Sequence, residues 1–110
     1  MPDFDLSSLP SPLPAYFATT GHSASLPLFA PDATVRDEGE LHRGTEAIAA
    51  WLDGVESRYS PRYRVLGAEP EGERIVVTVE VAGTFPGSPA VLRQAFTLDG
   101  AGRIARLETL

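Results

Sequence analysis

"RIVVTVEVAGTFPGSPAVLRQAFTLD", residues 74 to 99, is the stretch whose reading decides the fold. In residues 74 to 85 the apolar side chains recur at every second position, with Ile75, Val77, Val79 and Val81 on one face. In residues 90 to 99 Leu92, Gln94, Phe96 and Leu98 alternate against Val91, Arg93, Ala95 and Thr97. Successive side chains of a strand point to opposite faces, and β-branched and aromatic residues suit that surface, so both runs read as strands. "PGSP" (86–89) supplies the hairpin loop between them. Upstream, Tyr63, Val65 and Gly67 open another strand that reaches the "EPEGE" turn (69–73). Downstream, "GAG" (100–102) leads into a last one, "RIARLETL". The C-terminal half is an antiparallel meander of four strands.

The N-terminal half has a different period. Ile48, Trp51, Leu52, Val55 and Tyr59 mark one buried face of a helix over about 45–59, which Pro61 ends. Glu46, Asp53, Glu56 and Arg58 fall on its wet side. A shorter helix is expected from Ser11-Pro12 to Gly21, burying Leu13, Tyr16 and Phe17. A second short turn is expected, capped by Ser23 and carrying Leu26 and Phe29. Residues 1–11, rich in Pro and Ser, read as a flexible arm, and residues 12–110 as one domain. Helices covering one side of a curved antiparallel sheet bury both apolar faces, so the fold class is α+β.

Composition excludes several kinds of chemistry. The chain has 110 residues, a net charge of −6 and no cysteine, so disulfides and thiolate nucleophiles or ligands are out. Lysine is absent too, which removes Schiff-base chemistry. His22 and His42 are too far apart for a zinc-type spacing, so no metal and no cofactor is expected. The nine arginines are scattered, with no basic stripe for nucleic acid or an anionic membrane. No apolar run approaches the ~18 residues of a membrane span. The start "MPDFDLSSLP" has acids and prolines where a signal peptide carries basic charge, so a cytoplasmic location is expected. Arginine-only, Ala/Pro/Gly-rich usage points to a high-GC bacterial genome.

"LFAPDATVRDEG" (28–39) raises the functional question. A brief strand, Ala33 to Arg36, stops at Asp37, where acids are common for turn reasons alone. Glu38 and Glu40 read as solvated loop charges. Gln94 is the chain's only side-chain amide and sits between Leu92 and Phe96 on an apolar face. A buried amide needs a partner, in the backbone or in a ligand. His42 is either a loop residue or a proton shuttle at a cavity mouth. Trp51 reads as core, with Trp51→Ala costing about 3–5 kcal/mol.

"LFAPDATVRDEGELHRGTEAIAAWL" (28–52) and "VEVAGTFPGSPAVLRQAFTLDGAGRIARLETL" (79–110) together resemble the nuclear transport factor 2-like superfamily. Within it, the nearest models are the SnoaL-like polyketide cyclases and ketosteroid isomerase. The resemblance implies an α+β cone, a curved antiparallel sheet whose concave side is closed by helices around an apolar cavity. It also implies a homodimer through the sheet's outer face, where Val76, Ala82, Val91 and Ala95 are expected. Asp37 falls on the position of the isomerase's catalytic base. Gln94 stands where the isomerase has a protonated acid that helps hold an oxyanion. Tyr16 lies close to the position of its tyrosine. The implied function is binding of a small apolar carbonyl or hydroxyl compound. If the protein is an enzyme, the reaction is cofactor-independent isomerisation, cyclisation or hydration. Asp37, Gln94, Tyr16 and His42 would be the catalytic groups, and Trp51, Phe17, Phe96 and Val79 would contact the ligand. The alternative is a non-catalytic ligand-binding or dimerisation module with a filled cavity.

Overall fold

The structure is a computed structural model, and it describes residues 5–18 and 22–110. Gly21, expected to stop the first helix, and the side chain of Ser23, expected to cap the next turn, lie outside what it describes. Eight main elements follow in order: α1 (Leu13–Ala18), β1 (Phe29–Asp37), β2 (Glu40–Arg43), α2 (Gly44–Tyr59), β3 (Arg62–Glu71), β4 (Arg74–Ala82), β5 (Ala90–Leu98) and β6 (Ile104–Thr109). Short 3-10 segments, Leu6–Ser8 and His22–Leu28, flank α1. The six strands make one curled open sheet in the order β2-β1-β6-β5-β4-β3. The fold class is α+β, with α2 and the N-terminal segments packed on one face of that sheet. Among the described residues no helix is long and apolar enough to cross a membrane.

The period-two reading locates β3 to β6, and the expected helix over 45–59 is α2. Ile48 and Leu52 are wholly buried, and Trp51 and Val55 nearly so. Each such side chain contributes about 1.5–3 kcal/mol of burial. The helix ends at Ser60, whose left-handed backbone (φ 43°) lets its N–H return to the Glu56 carbonyl.

Around β1 the structure departs from the sequence reading. The strand is longer than Ala33 to Arg36, running from Phe29 straight through Pro31. A proline costs a strand its N–H, but the β1–β6 register breaks between Phe29 and Thr34, where that donor has no ladder to join. Phe29 therefore belongs to β1 and not to the preceding turn. The residues read as a charged loop after Asp37 form β2, antiparallel to β1 in the register Asp37↔Glu40 and Val35↔His42. Glu38 and Gly39 join the two strands with φ of 52° and 77°. Two consecutive positive φ angles match the right-handed twist of a tight hairpin, and glycine at the second position makes it accessible.

The sheet also closes differently from a simple meander. β1 lies parallel to β6, so the first and last strands are neighbours. Within the stretch read as an arm, the described part packs back as well: Asp5 caps the first 3-10 turn, and Leu9 joins the core at 5% exposure.

The outer sheet face is charged. Val76 and Ala95, read as exposed apolar residues, are buried within the single chain. Around them ion pairs link Arg74 to Glu71 and Glu108, Arg36 to Glu108, and Arg93 to Glu71. The long stems of these side chains can cover small apolar neighbours while their charged ends stay wet.

Candidate functional site

Strand parity determines which side chains reach the concave face. Ala33 and Val35 are buried there, so Asp37 points the same way at the end of β1. On β5, Gln94 lies across from Val77 on one side and Thr109 on the other. The Arg36↔Glu108 pair aligns β1 with β6, which brings Asp37 and Thr109 alongside one another. Gln94, Thr109 and Asp37 thus follow one another across three adjacent strands.

Asp37 and Gln94 line a single cavity of about 460 Å³. Its apolar wall includes Val55, Val81, Phe85, Ala90 and Leu92, and Trp51, Tyr59 and Tyr63 complete the rim. Gln94 is 4% exposed, and its Oε1 has no hydrogen-bond partner among the described residues. Thr109 Oγ1, beside it, is likewise buried without one. Buried polar atoms of this kind are rare in native folds and mark places where a water or ligand completes the bonding.

Helix α2 holds two acids of the hairpin. Trp51 Nε1–H donates to Asp37 Oδ2 at 3.1 Å, and the Tyr59 hydroxyl donates to Glu38 Oε1 at 3.1 Å. Glu38 is exposed, as the reading of a solvated loop charge expects, and this bond ties it to α2. Tyr63 is a wall residue that the sequence reading used only to open a strand. Burial pushes its phenol well up, and the charges of Asp37 and Glu56 add to the shift. It stays protonated and able to donate throughout the physiological range.

The remaining expected residues have other places. Tyr16 is 2% exposed within an aromatic cluster with Phe17, Phe29 and Phe96, at centroid distances of 5.0, 6.1 and 5.4 Å. Burial pushes its phenol well above the usual range, with Tyr63 and Asp37 contributing. Phe17, Phe96 and Val79 are core residues behind the cavity wall and do not line it. His42 faces a smaller neighbouring hollow, its ring tilted against Trp51 at 6.1 Å. Trp51 separates the two spaces, with Asp37 reaching both. Among the described residues no cluster of three or more His, Asp or Glu could hold a metal ion.

Comparison with known proteins gives a consistent result. A family model for the SnoaL-like domain matches residues 15–107. A crystal structure from Sinorhizobium meliloti, provisionally called a polyketide cyclase, is 37% identical with a TM-score of 0.89. That match covers 97% of this chain and 100% of the other. A protein of ketosteroid isomerase-like fold from Catenulispora acidiphila, solved with trimethylamine, is 21% identical with a TM-score of 0.69, covering 87% and 78%. A nuclear transport factor 2-like protein from Cytophaga hutchinsonii is 14% identical with a TM-score of 0.67, covering 87% and 80%. These last two likenesses carry the fold alone. No curated protein matches the chain.

Proposed function

The chain belongs to the SnoaL-like domain family, and on that premise we propose that it binds a small, largely apolar carbonyl or hydroxyl compound and moves protons on it without a cofactor. The observation that carries the proposal is the shared cavity: Asp37 and Gln94, whose amide oxygen is unpartnered, line the same space of about 460 Å³. An opening of that size is what separates this reading from a module with a filled interior.

In the proposed chemistry the Asp37 carboxylate takes a proton from carbon next to a carbonyl. The negative charge that develops on oxygen is met by O–H or N–H donors. Tyr63, kept protonated by its surroundings, supplies an O–H from the wall. Gln94 offers its amide oxygen to a ligand hydroxyl or, turned over, its N–H₂ to a carbonyl. The indole of Trp51 orients the base. Tyr16 and His42 support these groups from the core and from the neighbouring hollow. Isomerisation, cyclisation and hydration all fit this set.

The test is a screen of small carbonyl and hydroxyl compounds, read by the emission of Trp51, the chain's one tryptophan. Turnover of any hit is then measured on Asp37→Asn, which keeps the shape and removes the base. Loss of turnover with binding and melting largely intact is expected. Turnover at the wild-type rate would remove Asp37 from the chemistry, and a cavity that takes no compound would end the proposal.

The same proposal has the protein act in the cytoplasm as a homodimer through the outer sheet face. Val91, 60% exposed opposite Glu80, and Leu41, 51% exposed opposite Arg36, are apolar residues available for that contact. Sedimentation at micromolar concentration should show twice the mass of one chain, and a monomer would count against the pairing.

A further inference from the structure

The electrostatics of the cavity specify more than an apolar ligand. Two carboxylates, Asp37 and Glu38, stand among its lining residues, and no arginine or histidine is among the described residues that line it. The Trp51 N–H and the Tyr59 O–H are both directed onto those acids. The buried orphan atom two strands away on the same sheet face, Gln94 Oε1, is a third acceptor. On the cavity side these acceptors meet no cation among the described residues, and such an arrangement favours a ligand that donates and carries positive charge.

The aromatic groups point the same way. Trp51, Tyr59, Tyr63 and Phe85 all line the cavity, and Tyr59 and Phe85 meet edge to face at 5.8 Å and 84° to form a corner. Aromatic faces attract cations, and walls of such rings recognise ammonium groups. The chain supplies an example of its own, because the Arg58 guanidinium lies 5.1 Å from the Tyr59 ring centroid. Arg58 and His42 line the neighbouring hollow, which Asp37 and Glu38 also border. Burial is the main reason the Tyr63 phenol is raised, and the charges of Asp37 and Glu56 oppose its ionisation further.

We propose that the cavity selects ligands bearing a protonated amine or quaternary ammonium on a compact apolar body, over neutral or anionic ligands of the same shape. The ammonium sits among Asp37, Glu38 and the aromatic corner, and the apolar body lies against Val81, Ala90 and Leu92. This inference rests on the reading of the cavity as a small-molecule site and adds the ligand's charge.

Three rigid probes of one shape test it: 1-adamantylammonium, 1-adamantanol and 1-adamantanecarboxylate. Each is titrated into the full chain at neutral pH and followed by Trp51 emission and by the melting midpoint. The ammonium should bind about tenfold more tightly than the alcohol, and the carboxylate more weakly still. Glu38→Gln, with its melting curve recorded to show that it folds, should bring the ammonium-to-alcohol ratio most of the way to one. Phe85→Leu should reduce the same ratio, because the ammonium loses an aromatic face that the alcohol does not need. Equal affinity for ammonium and alcohol, or tightest binding of the carboxylate, overturns the charge selection and leaves the binding reading standing. If no probe changes either signal, both fall.

Discussion

Removing the Trp51 N–H should measure how firmly the fold holds Asp37. The indole nitrogen is 3.1 Å from Asp37 Oδ2, and the tryptophan is 7% exposed. A hydrogen bond to a charged acceptor contributes about 1.5–3 kcal/mol when buried. Asp37 is only half-buried and borders a cavity, so water can replace part of the loss, and about 1–2 kcal/mol is expected for the pair. Trp51→Phe also removes ring volume from the core, so the single substitution should cost about 2–4 kcal/mol, approaching the ~3–5 expected for Trp51→Ala. A double-mutant cycle with Asp37→Ala separates the two contributions, because the volume loss is common to both backgrounds. Urea unfolding of the four proteins is followed by circular dichroism, since the substitution removes the chain's only tryptophan. A coupling energy within about 0.3 kcal/mol of zero would refute the argument. The indole would then be core filler that happens to lie beside an acid.

Gly83→Ala should destabilise the fold by about 1–3 kcal/mol in the same assay, because a Cβ there would lie 2.3 Å from the Tyr59 carbonyl oxygen. That carbonyl also accepts from Thr84 N–H at 2.8 Å, so it is not free to move aside, and an unchanged midpoint would mean that the α2 terminus yields. Tyr16 and Tyr63 have phenols raised in the folded chain above their unfolded value of about 10, so their contribution is complete below that pH and is lost as pH rises beyond it. The melting midpoint should fall above about pH 10, and an ultraviolet titration should show these two phenols ionising only as the chain unfolds. Glu71→Gln should barely shift the melting midpoint, since its bonds to Arg74 and Arg93 lie at the solvent-exposed surface, and a large shift would show that the outer charge lattice acts as a unit.

Where periodicity was long, the sequence was readable. Residues 74–98 alternate cleanly and α2 carries a complete buried stripe, so those elements lie where the pattern puts them. β2 has four residues, of which three are exposed, and so has too little apolar alternation to register as a strand. The signal that could have found it was Glu38-Gly39 between two short polar runs, a pair suited to a two-residue hairpin. Pro31 concealed the length of β1, since proline argues against a strand unless a break in the ladder excuses it. The site was legible only through pairings that one sequence does not display. Asp37 and Gln94 are 57 positions apart, and the strand order β1-β6-β5 is what brings them to one cavity. Tyr63 carried no special mark until the fold placed it on the same wall.

Asp37 is held differently from another strand-end acid of the same chain. Asp99, in the "LDGAGR" turn, has its carboxylate bound at 2.9 Å by the backbone N–H groups of Ala101 and Arg103. Those bonds hold its carboxyl below the usual range and close the turn locally. Asp37 shares the strand-end position and the glycine nearby but is tied to a side chain fourteen residues along, on a different element. Glu38 is tied in the same way to Tyr59, about two helical turns beyond Trp51 on the same face of α2. The stripe that buries Ile48, Leu52 and Val55 therefore also fixes the two acids at the rim of the cavity. A turn acid needs none of that apparatus. For the role proposed for Asp37 that apparatus has a use, because a group held by the core does not have to be ordered again when a ligand arrives.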